Sequence, residues 1–186
     1  MNRLATTVTK LKDVLVLEPR VFGDARGHFV ESWNARAFRE ATGLDVAFVQ
    51  DNESRSRGGV LRGLHYQLTQ PQGKLVRVAR GRVFDACVDL RRSSPTFGAW
   101  DGIELSEENR RQLWIPAGLA HGYLVLSASA DVLYKTTEFY APADERTIAW
   151  NDAGLQIAWP LEPGQEPSVS ARDAAGVPFS QASFFE

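Results

Sequence analysis

Residues 74–90 read Lys-Leu-Val-Arg-Val-Ala-Arg-Gly-Arg-Val-Phe-Asp-Ala-Cys-Val-Asp-Leu, and this stretch decides the fold class. Two runs rich in valine and other apolar residues, 75–79 and 83–90, flank the connection Arg80-Gly81-Arg82. A short connection that contains glycine between two such runs is typical of a β-hairpin. The stretch therefore predicts two antiparallel strands joined by a tight turn.

Similar short apolar runs, separated by Gly, Pro, Asn or Asp, recur along the rest of the chain. Many short strands at close spacing favour an antiparallel sandwich or barrel, so we expect a mainly β fold. Residues 34–43 favour a helix, because an asparagine stands at the start, helix-forming residues follow and a glycine stands at the end. The further strands are predicted at residues 14–17, 27–32, 46–50, 60–64, 112–115, 122–127, 132–140 and 147–150.

Length and composition narrow the class of protein. The 186 residues correspond to about one domain, so we expect a single domain over residues 1–186, with a loop-rich C-terminal extension from about residue 162. The chain carries 21 Lys and Arg against 23 Asp and Glu, and this near-neutral balance argues against binding to nucleic acid or to a membrane surface. No apolar run approaches the roughly 20 residues that a membrane helix needs. Residues 1–14 lack the apolar core of a secretory signal, so we expect a cytoplasmic protein.

Cysteine and histidine usage limits the metal chemistry. Cys87 is the only cysteine, which excludes an internal disulfide and a thiolate-rich metal cluster. The three histidines, His28, His65 and His121, form no HxH or HxxxH pair. The sequence therefore predicts no metal site, although three scattered histidines can still converge in space.

The densest polar signal is the stretch 58–67, Gly-Gly-Val-Leu-Arg-Gly-Leu-His-Tyr-Gln. In a regular strand Arg62 and His65 lie on opposite faces, because alternate side chains share a face. A bulge at Gly63 would turn both toward one cavity. The alternative interpretation is a core histidine that is hydrogen-bonded to a backbone carbonyl, with Arg62 on the surface.

Three charged residues within the stretch 74–90 are candidates for a special role. Lys74 stands at the start of an apolar strand, where a lysine is usually solvated. Asp85 lies within an apolar run, where a carboxylate is costly to bury without a partner, so it is a candidate site residue. Asp89 shares its face but is expected to pair with the neighbouring Arg91 or Arg92.

Three further residues remain open from pattern alone. His121 lies in a glycine-containing turn and is equally compatible with a structural role and a pocket position. Tyr134 begins a stripe of alternate residues with Tyr140 at its end, a pattern more often found in a core or an interface than in catalysis. Asp173 lies in the C-terminal segment, where it would ordinarily be exposed.

Several motifs in order resemble one known family, the dTDP-4-dehydrorhamnose 3,5-epimerases, which are cupin-fold enzymes of dTDP-L-rhamnose synthesis. The resemblance extends from about residue 14 to residue 173, and a series of long motifs is far more specific than any single one. The motifs are Gly-Val-Leu-Arg-Gly-Leu-His-Tyr-Gln at 59–67, Gly-Lys-Leu-Val-Arg-Val at 73–78, the run 81–91, Ser-Pro-Thr-Phe-Gly at 94–98, Ile-Pro-Ala-Gly-Leu-Ala-His-Gly at 115–122 and Tyr-Lys-Thr-Thr at 134–137.

The resemblance implies a cupin-type antiparallel β-barrel or jelly roll and a substrate, dTDP-4-dehydro-6-deoxy-D-glucose. It implies that His65 is the base, that Asp173 orients it, that Tyr134 is the acid and that Lys74 stabilises the enolate. No metal or other cofactor is implied, and family members are homodimers in which the partner subunit completes part of the site. The substrate-binding positions that it implies are Phe22, Arg26, Glu31, Gln50, Asn52, Arg62, Asp85, His121 and Tyr140.

Two positions depart from the family pattern. His28 stands where members usually carry an aromatic residue, and Arg172 stands where they carry a lysine. Three alternatives remain open: a 3-epimerase of the same family, a non-catalytic cupin that binds sugar nucleotides, and a metal-dependent cupin oxygenase, which the missing HxH motif disfavours.

Overall fold

A computed structural model describes residues 4–186, and the regular secondary structure in it consists mainly of short strands. The six-stranded sheet has the order β1-β2-β10-β7-β12-β5, the five-stranded sheet has the order β13-β6-β11-β8-β9, and β3 pairs with β4 in a separate hairpin. All strand pairs in these sheets are antiparallel, so the predicted mainly β fold is confirmed. The strands are β1 Ala5–Val8, β2 Leu15–Glu18, β3 Val21–Asp24, β4 Gly27–Val30, β5 Gln50–Arg57, β6 Leu61–Gln67, β7 Lys74–Arg80, β8 Arg82–Asp89, β9 Trp100–Ser106, β10 Gln112–Ile115, β11 Leu119–Val125, β12 Ser129–Thr136 and β13 Glu145–Thr147.

The two large sheets enclose the main hydrophobic core. Val76 and Val132 from the six-stranded sheet pack in one cluster with Val83 and Cys87 from the five-stranded sheet. Each of these side chains belongs to the alternate set that faces inward, as expected for strands with one buried face. Burying two apolar sheet faces against each other is the main stabilisation of such a fold.

The stretch 74–90 forms two strands but not the predicted hairpin. The strands β7 and β8 belong to different sheets, and Gly81 alone connects them. Common hairpin loops have two or more residues, so a single residue makes a corner between sheets instead. Gly81 has a φ of +77°, and a Cβ there would lie 2.1 Å from the Ser129 carbonyl oxygen, so only glycine fits this corner.

The predicted helix is confirmed as α1, Ala35–Thr42. The Asn34 side chain accepts a hydrogen bond from the Ala37 N–H, and Gly43 ends the helix in the left-handed region, as the sequence pattern indicates. Phe38 buries the apolar face of α1 against Trp114 on the outer side of the six-stranded sheet.

Four strands were not predicted, namely β1, β3, β5 and β9, and the most instructive of them is β5, whose sequence is Gln-Asp-Asn-Glu-Ser-Arg-Ser-Arg. The apolar run 46–50 predicts a strand that would end at residue 50, whereas β5 begins there. Val46 and Phe48 pack beside α1 instead. A strand without apolar residues gives no hydrophobic alternation, which is why β5 is missed.

The strand at 132–140 is also predicted to end too late, because β12 ends at Thr136.

The C-terminal segment contains little regular structure, as its composition predicts. It includes only the four-residue helix α2, Ala171–Ala174, and a 3₁₀ turn at Phe179–Gln181. Its aromatic residues pack on the outer face of the five-stranded sheet, where Trp159, Phe179 and Phe185 join the cluster around Leu61. None of the helices within residues 4–186 is both long enough and apolar enough to cross a membrane.

Candidate active site

A bulge in β6 turns its polar side chains toward a single cavity. Arg62 pairs with Tyr123 and His65 pairs with His121, and between these pairs β6 has two residues where β11 has one. Gly63 permits the bulge, because its φ is +120° and a Cβ there would lie 2.5 Å from the backbone of β11. The extra residue places Arg62 and His65 on the same side, which regular alternation would forbid.

The cavity lies between the two sheets and has a volume of about 360 Å³. Strands of both sheets contribute its polar lining, so chemical groups approach a bound molecule from opposing directions. The lining residues are Gln50, Asn52, Ser54, Arg62, His65, Gln72, Lys74, His121, Gly122, Tyr123, Tyr134, Tyr140 and Glu145.

His65 is held by a carboxylate from the C-terminal segment. Its Nε2 lies 2.5 Å from Oδ1 of Asp173, which is 108 residues away in sequence and only 4% exposed. The same oxygen accepts a hydrogen bond from the Gly63 N–H at 3.3 Å, and Oδ2 accepts one from the Ser170 hydroxyl at 2.7 Å. Burial alone would raise the pKa of Asp173, but the hydrogen bonds from His65, Ser170 and Gly63 outweigh it and hold the pKa at about 2.

The ionised Asp173 decides which nitrogen of His65 is basic. A carboxylate can only accept hydrogen bonds, so Nε2 carries the proton that it receives. The other ring nitrogen, Nδ1, then has the free lone pair, as in any neutral imidazole. His65, which lines the cavity, therefore has a ring orientation and a tautomer that are both set by Asp173.

A second histidine–carboxylate pair lies beside the first. His121 directs Nε2 at both oxygens of Asp85, each at 2.9 Å, and Asp85 is completely buried. His121 lines the cavity while Asp85 lies behind it. The structure therefore answers the question that the glycine-containing turn left open, because His121 is a cavity residue with a buried partner.

Lys74 is the buried cation of the cavity, which contradicts its interpretation as a solvated strand start. It is 8% exposed, and its Nζ donates to the His65 carbonyl at 3.5 Å. Burial lowers the pKa of Lys74 to about 8, while the nearby Asp85 carboxylate opposes this change. At neutral pH the ammonium form still predominates, so Lys74 places a positive charge in a buried part of the cavity, where the dielectric is low.

Tyr134 approaches from β12 in the six-stranded sheet, opposite the sheet that carries His65. Burial raises the pKa of Tyr134, with a further contribution from Tyr123. A phenol with a raised pKa stays protonated at neutral pH and is available as a proton donor. Tyr123 is itself engaged, because its hydroxyl lies 2.8 Å from that of Ser54.

An ion-paired cluster forms the rim of the cavity. The Tyr140 hydroxyl donates to Glu145 Oε2 at 3.0 Å, and the Arg172 guanidinium binds both groups. The Tyr140 N–H donates to the Gln50 side chain at 3.0 Å, and Gln50 in turn donates to Asn52 at 2.8 Å. Tyr140 and its neighbours therefore line one open end of the cavity with polar contacts and one exposed ring.

The sequence profile of the dTDP-4-dehydrorhamnose 3,5-epimerases matches residues 8–181. This chain belongs to that family. The family's enzyme from Pseudomonas aeruginosa is 59% identical over 182 residues, which are 98% of this chain and 99% of that protein. The solved dTDP-6-deoxy-D-glucose-3,5-epimerase from Legionella pneumophila, in complex with dTDP-4-keto-L-rhamnose, is similar at a TM-score of 0.93 and 49% identity, over 97% of this chain and 95% of that one. A 3′-monoepimerase from Streptomyces bikiniensis, in complex with dTDP-quinovose, is similar at a TM-score of 0.86 and 32% identity, over 97% and 88% of the two chains.

Most of the positions that the epimerase family implies come together in this cavity. Eight of them line it, and two lie immediately behind it as partners of histidines. The eight are Gln50, Asn52, Arg62, His65, Lys74, His121, Tyr134 and Tyr140, and the two are Asp85 and Asp173.

Three of the positions that the epimerase family implies lie outside this cavity. Phe22 and Arg26 are on the β3–β4 hairpin, whose strands pair only with each other within residues 4–186. Glu31 follows the hairpin and lines a separate cleft beside Trp33 and Phe38. His28, which departs from the family pattern, is also on the hairpin and exposed, and it does not line the cavity that contains His65.

Sequence reasoning missed several polar residues of the epimerase cavity, among them Ser54, Tyr123 and Glu145. Ser54 follows Gln50 and Asn52 at alternate positions of β5, so a correctly placed strand would have found it. Nothing in the local sequence indicates Ser170, because its importance depends on the hydrogen bond to Asp173. Asp89, by contrast, is paired with Arg91 at 2.8 Å, as the sequence predicts.

Proposed function

We propose that this chain epimerises C3 and C5 of dTDP-4-dehydro-6-deoxy-D-glucose, giving dTDP-4-dehydro-L-rhamnose in dTDP-L-rhamnose biosynthesis. The observation that carries the proposal is the placement of His65 and Tyr134 on opposing sheets across one cavity that also contains Lys74. Inversion of a carbon requires removal of a proton from one face and delivery to the other. A base and an acid on opposing walls satisfy this requirement.

The proposed mechanism begins with proton abstraction next to the 4-keto group. His65 Nδ1 takes the hydrogen from C5 as a proton, and the bonding electron pair moves through the C4–C5 bond onto the keto oxygen. The enolate oxygen then carries the negative charge, which the Lys74 ammonium stabilises. Preorganised charge stabilisation of this kind is typically worth roughly 3–4 kcal/mol per group.

Reprotonation completes the inversion at C5. Tyr134 delivers its phenolic proton to the opposite face of the carbon, and the enolate electrons return to form the C–H bond. The tyrosinate recovers a proton from solvent, and His65 releases the proton that it took. The same base serves C3 in a second cycle. Because the substrate's own carbonyl delocalises the charge, the chemistry calls for neither a metal nor a nicotinamide.

The experiment that tests this reaction is NMR of the substrate incubated with enzyme in D₂O without added metal. We expect deuterium at both C3 and C5, with the epimerised product trapped by a downstream reductase. Tyr134→Phe is expected to retain exchange at C5 while inversion falls by roughly 100-fold, because the base remains and the acid is lost. Unchanged turnover in Tyr134→Phe or His65→Ala would remove the mechanism.

A 3-only epimerase is the second candidate, and the similarity to the Streptomyces bikiniensis 3′-monoepimerase supports keeping it. Such an enzyme can use the same base and acid. In the D₂O experiment it would place deuterium at C3 and leave C5 unlabelled and uninverted. Absence of exchange at both carbons would instead leave a binding protein.

We propose that the enzyme acts as a homodimer in which the β3–β4 hairpin reaches the partner subunit's cavity. The hairpin is almost fully exposed, and it displays Phe22 at 39% and Phe29 at 65% exposure. Exposed phenylalanines on a projecting hairpin indicate a surface that is covered in an assembly. In this arrangement Phe22 and Arg26 bind the nucleotide sugar across the interface, together with Glu31.

Subunit complementation tests the dimer. Arg26→Ala and His65→Asn chains are each expected to be weakly active, and mixing them after denaturation and refolding should restore about a quarter of wild-type activity. Half of the dimers are then mixed, and each has one cavity with both residues intact. Activity that stays at the level of the separate variants would show that the hairpin acts within its own subunit or not at all.

We further propose a single domain and a cytoplasmic location. The packing of the C-terminal segment on the five-stranded sheet supports one cooperative unit. The free thiol of Cys87 is buried, which is compatible with a reducing compartment.

A further inference from the structure

The Asp173 carboxylate accepts three hydrogen bonds. One comes from His65, one from a backbone N–H, and the third from the side chain of Ser170. Oδ1 accepts from His65 and from the Gly63 N–H, while Oδ2 accepts from the Ser170 hydroxyl at 2.7 Å. Without the third donor, Oδ2 of this nearly buried group has no partner within residues 4–186. The rotation of the carboxylate about its own axis therefore depends on Ser170.

Ser170 makes two different hydrogen bonds at the start of α2. Its oxygen accepts from the Asp173 N–H at 3.1 Å, which caps the helix, and its single hydroxyl proton is given to Oδ2. The first bond fixes the backbone of Asp173 and the second fixes its side chain. These two functions are chemically separable, because capping requires an acceptor and the side-chain bond requires a donor.

The backbone around α2 is already anchored on both sides. The Ser168 carbonyl accepts from the Leu61 N–H at 2.9 Å, and the Val177 carbonyl accepts from the Ala149 N–H at 2.8 Å. These contacts bring Asp173 to the bulged strand, but they do not choose which way its carboxylate turns. That choice remains for the hydrogen bonds at its two oxygens.

We propose that Ser170 is a positioning residue that orients Asp173 and, through it, the basic nitrogen of His65. The proposal rests on the proposed function, since it assigns Ser170 a part in the proton abstraction at C5 and C3. A donor on Oδ2 keeps Oδ1 directed at His65 Nε2, and this bond keeps Nδ1 as the free base. Ser170 is not among the residues that line the cavity, so its loss should slow catalysis without weakening binding.

Three substitutions at position 170 distinguish the hydrogen bond that Ser170 donates to Asp173 Oδ2 from the hydrogen bond that it accepts as a helix cap. Ser170→Ala removes both bonds, and the substitution leaves no cavity in the core because Ser170 is exposed. Ser170→Thr keeps both, whereas Ser170→Asp keeps the capping acceptor but has no proton to donate. Ser168→Ala is the matched control, because Ser168 is exposed and is anchored through its backbone.

The measurements are kcat and KM at neutral pH and the initial rates of deuterium incorporation at C3 and C5. We expect Ser170→Ala to lower kcat by roughly 10-fold with KM within about twofold, because a hydrogen bond to a charged group is lost from the base's support and not from the binding surface. Because the same pair of His65 and Asp173 serves both carbons, deuterium incorporation at C3 and at C5 should slow in the same proportion. Ser170→Thr should recover wild-type kcat, and Ser170→Asp should be at least as slow as Ser170→Ala.

The outcomes distinguish this inference from the proposed function. Wild-type enzyme that incorporates no deuterium contradicts the proposed function. Wild-type enzyme that exchanges normally, with Ser170→Ala equal to it, overturns only the role of Ser170. Full activity in Ser170→Asp would mean that Ser170 acts solely as a helix cap. If Ser170→Ala fails to fold, as judged by its melting temperature, the comparison of Ser170→Thr with Ser170→Asp still decides the question.

Discussion

The two histidine–carboxylate pairs lie side by side in this cavity, yet they are built differently. His65 and His121 are directly opposite each other on β6 and β11. His121 takes its carboxylate, Asp85, from the strand next to its own, and it approaches both oxygens at 2.9 Å. His65 takes Asp173 from the C-terminal segment and contacts one oxygen at 2.5 Å.

This difference indicates different roles. A pair between adjacent strands is held by the sheet itself, so His121 and Asp85 form a rigid part of the cavity wall. The pair of His65 and Asp173 depends on a segment that folds back over the sheet, and each oxygen of its carboxylate is separately bonded. An oriented single-oxygen contact of this kind is what a general base needs.

The largest expected effect separates the two histidines. His65→Asn should lower kcat by about 10³-fold or more, because the base is removed, while His121→Asn should lower it by roughly 10-fold, because only a wall contact is lost. Steady-state kinetics with both variants provides the comparison. Equal losses in the two variants would mean that the pairs share the base function.

The next effect concerns the two carboxylates. Asp173→Asn should lower kcat by roughly 100-fold, because an amide NH₂ in place of an oxygen favours the opposite tautomer of His65. Nitrogen-15 NMR of the imidazole reports the tautomer directly and should show loss of the Nε2–H form. Retention of that form with full activity would remove Asp173 from the mechanism.

The main effect of Asp85 should be on the pH at which Lys74 loses its proton, and hence on the pH dependence of kcat. The pKa of Lys74 is about 8, lowered by burial and supported by Asp85, so wild-type kcat should fall as the pH rises above about 8 and the ammonium is lost. Asp85→Asn removes the carboxylate that favours the charged form of Lys74. The pKa of Lys74 should therefore fall further, and kcat should decline at a lower pH than in wild type. Asp89→Asn is the matched control, because Asp89 lies on the same strand but is paired with Arg91. If kcat of Asp85→Asn declines over the same pH range as kcat of wild type, the decline is not due to deprotonation of Lys74.

The smallest effect is on stability in acid. The folded pKa of Asp173 is about 2, below its unfolded value of 3.8, so the group stabilises the fold above pH 4 and this stabilisation is lost as the pH falls toward 2. The contribution is about 2 kcal/mol at neutral pH by linkage. Denaturant unfolding at pH 6 and pH 3 should show a smaller loss on acidification in Asp173→Asn than in wild type. Equal losses in both proteins would contradict the lowered pKa.

The sequence predicted the fold class well, because alternation of apolar and polar residues is a local property. It placed α1 correctly for the same reason, since the Asn34 cap and the Gly43 terminus are local signals. It missed β1, β3, β9 and the entirely polar β5, and it joined β7 to β8 as a hairpin. Which strand pairs with which is decided by packing between sheets, and the pattern within one strand carries no information about it.

The residues of the candidate site were likewise predicted in part from the sequence, while their environment was decided by the tertiary structure. Motifs in the sequence identified His65, Lys74, Tyr134 and Asp173 through resemblance to a family, whereas pattern alone interpreted Lys74 as solvated and Asp173 as an exposed tail residue. The tertiary structure decided that both are buried, and that a bulge at Gly63 turns His65 into the cavity. The physical reason is that a side chain's environment is made by residues distant in sequence. A lysine, a histidine and a carboxylate acquire their chemistry only when the fold removes water and supplies partners.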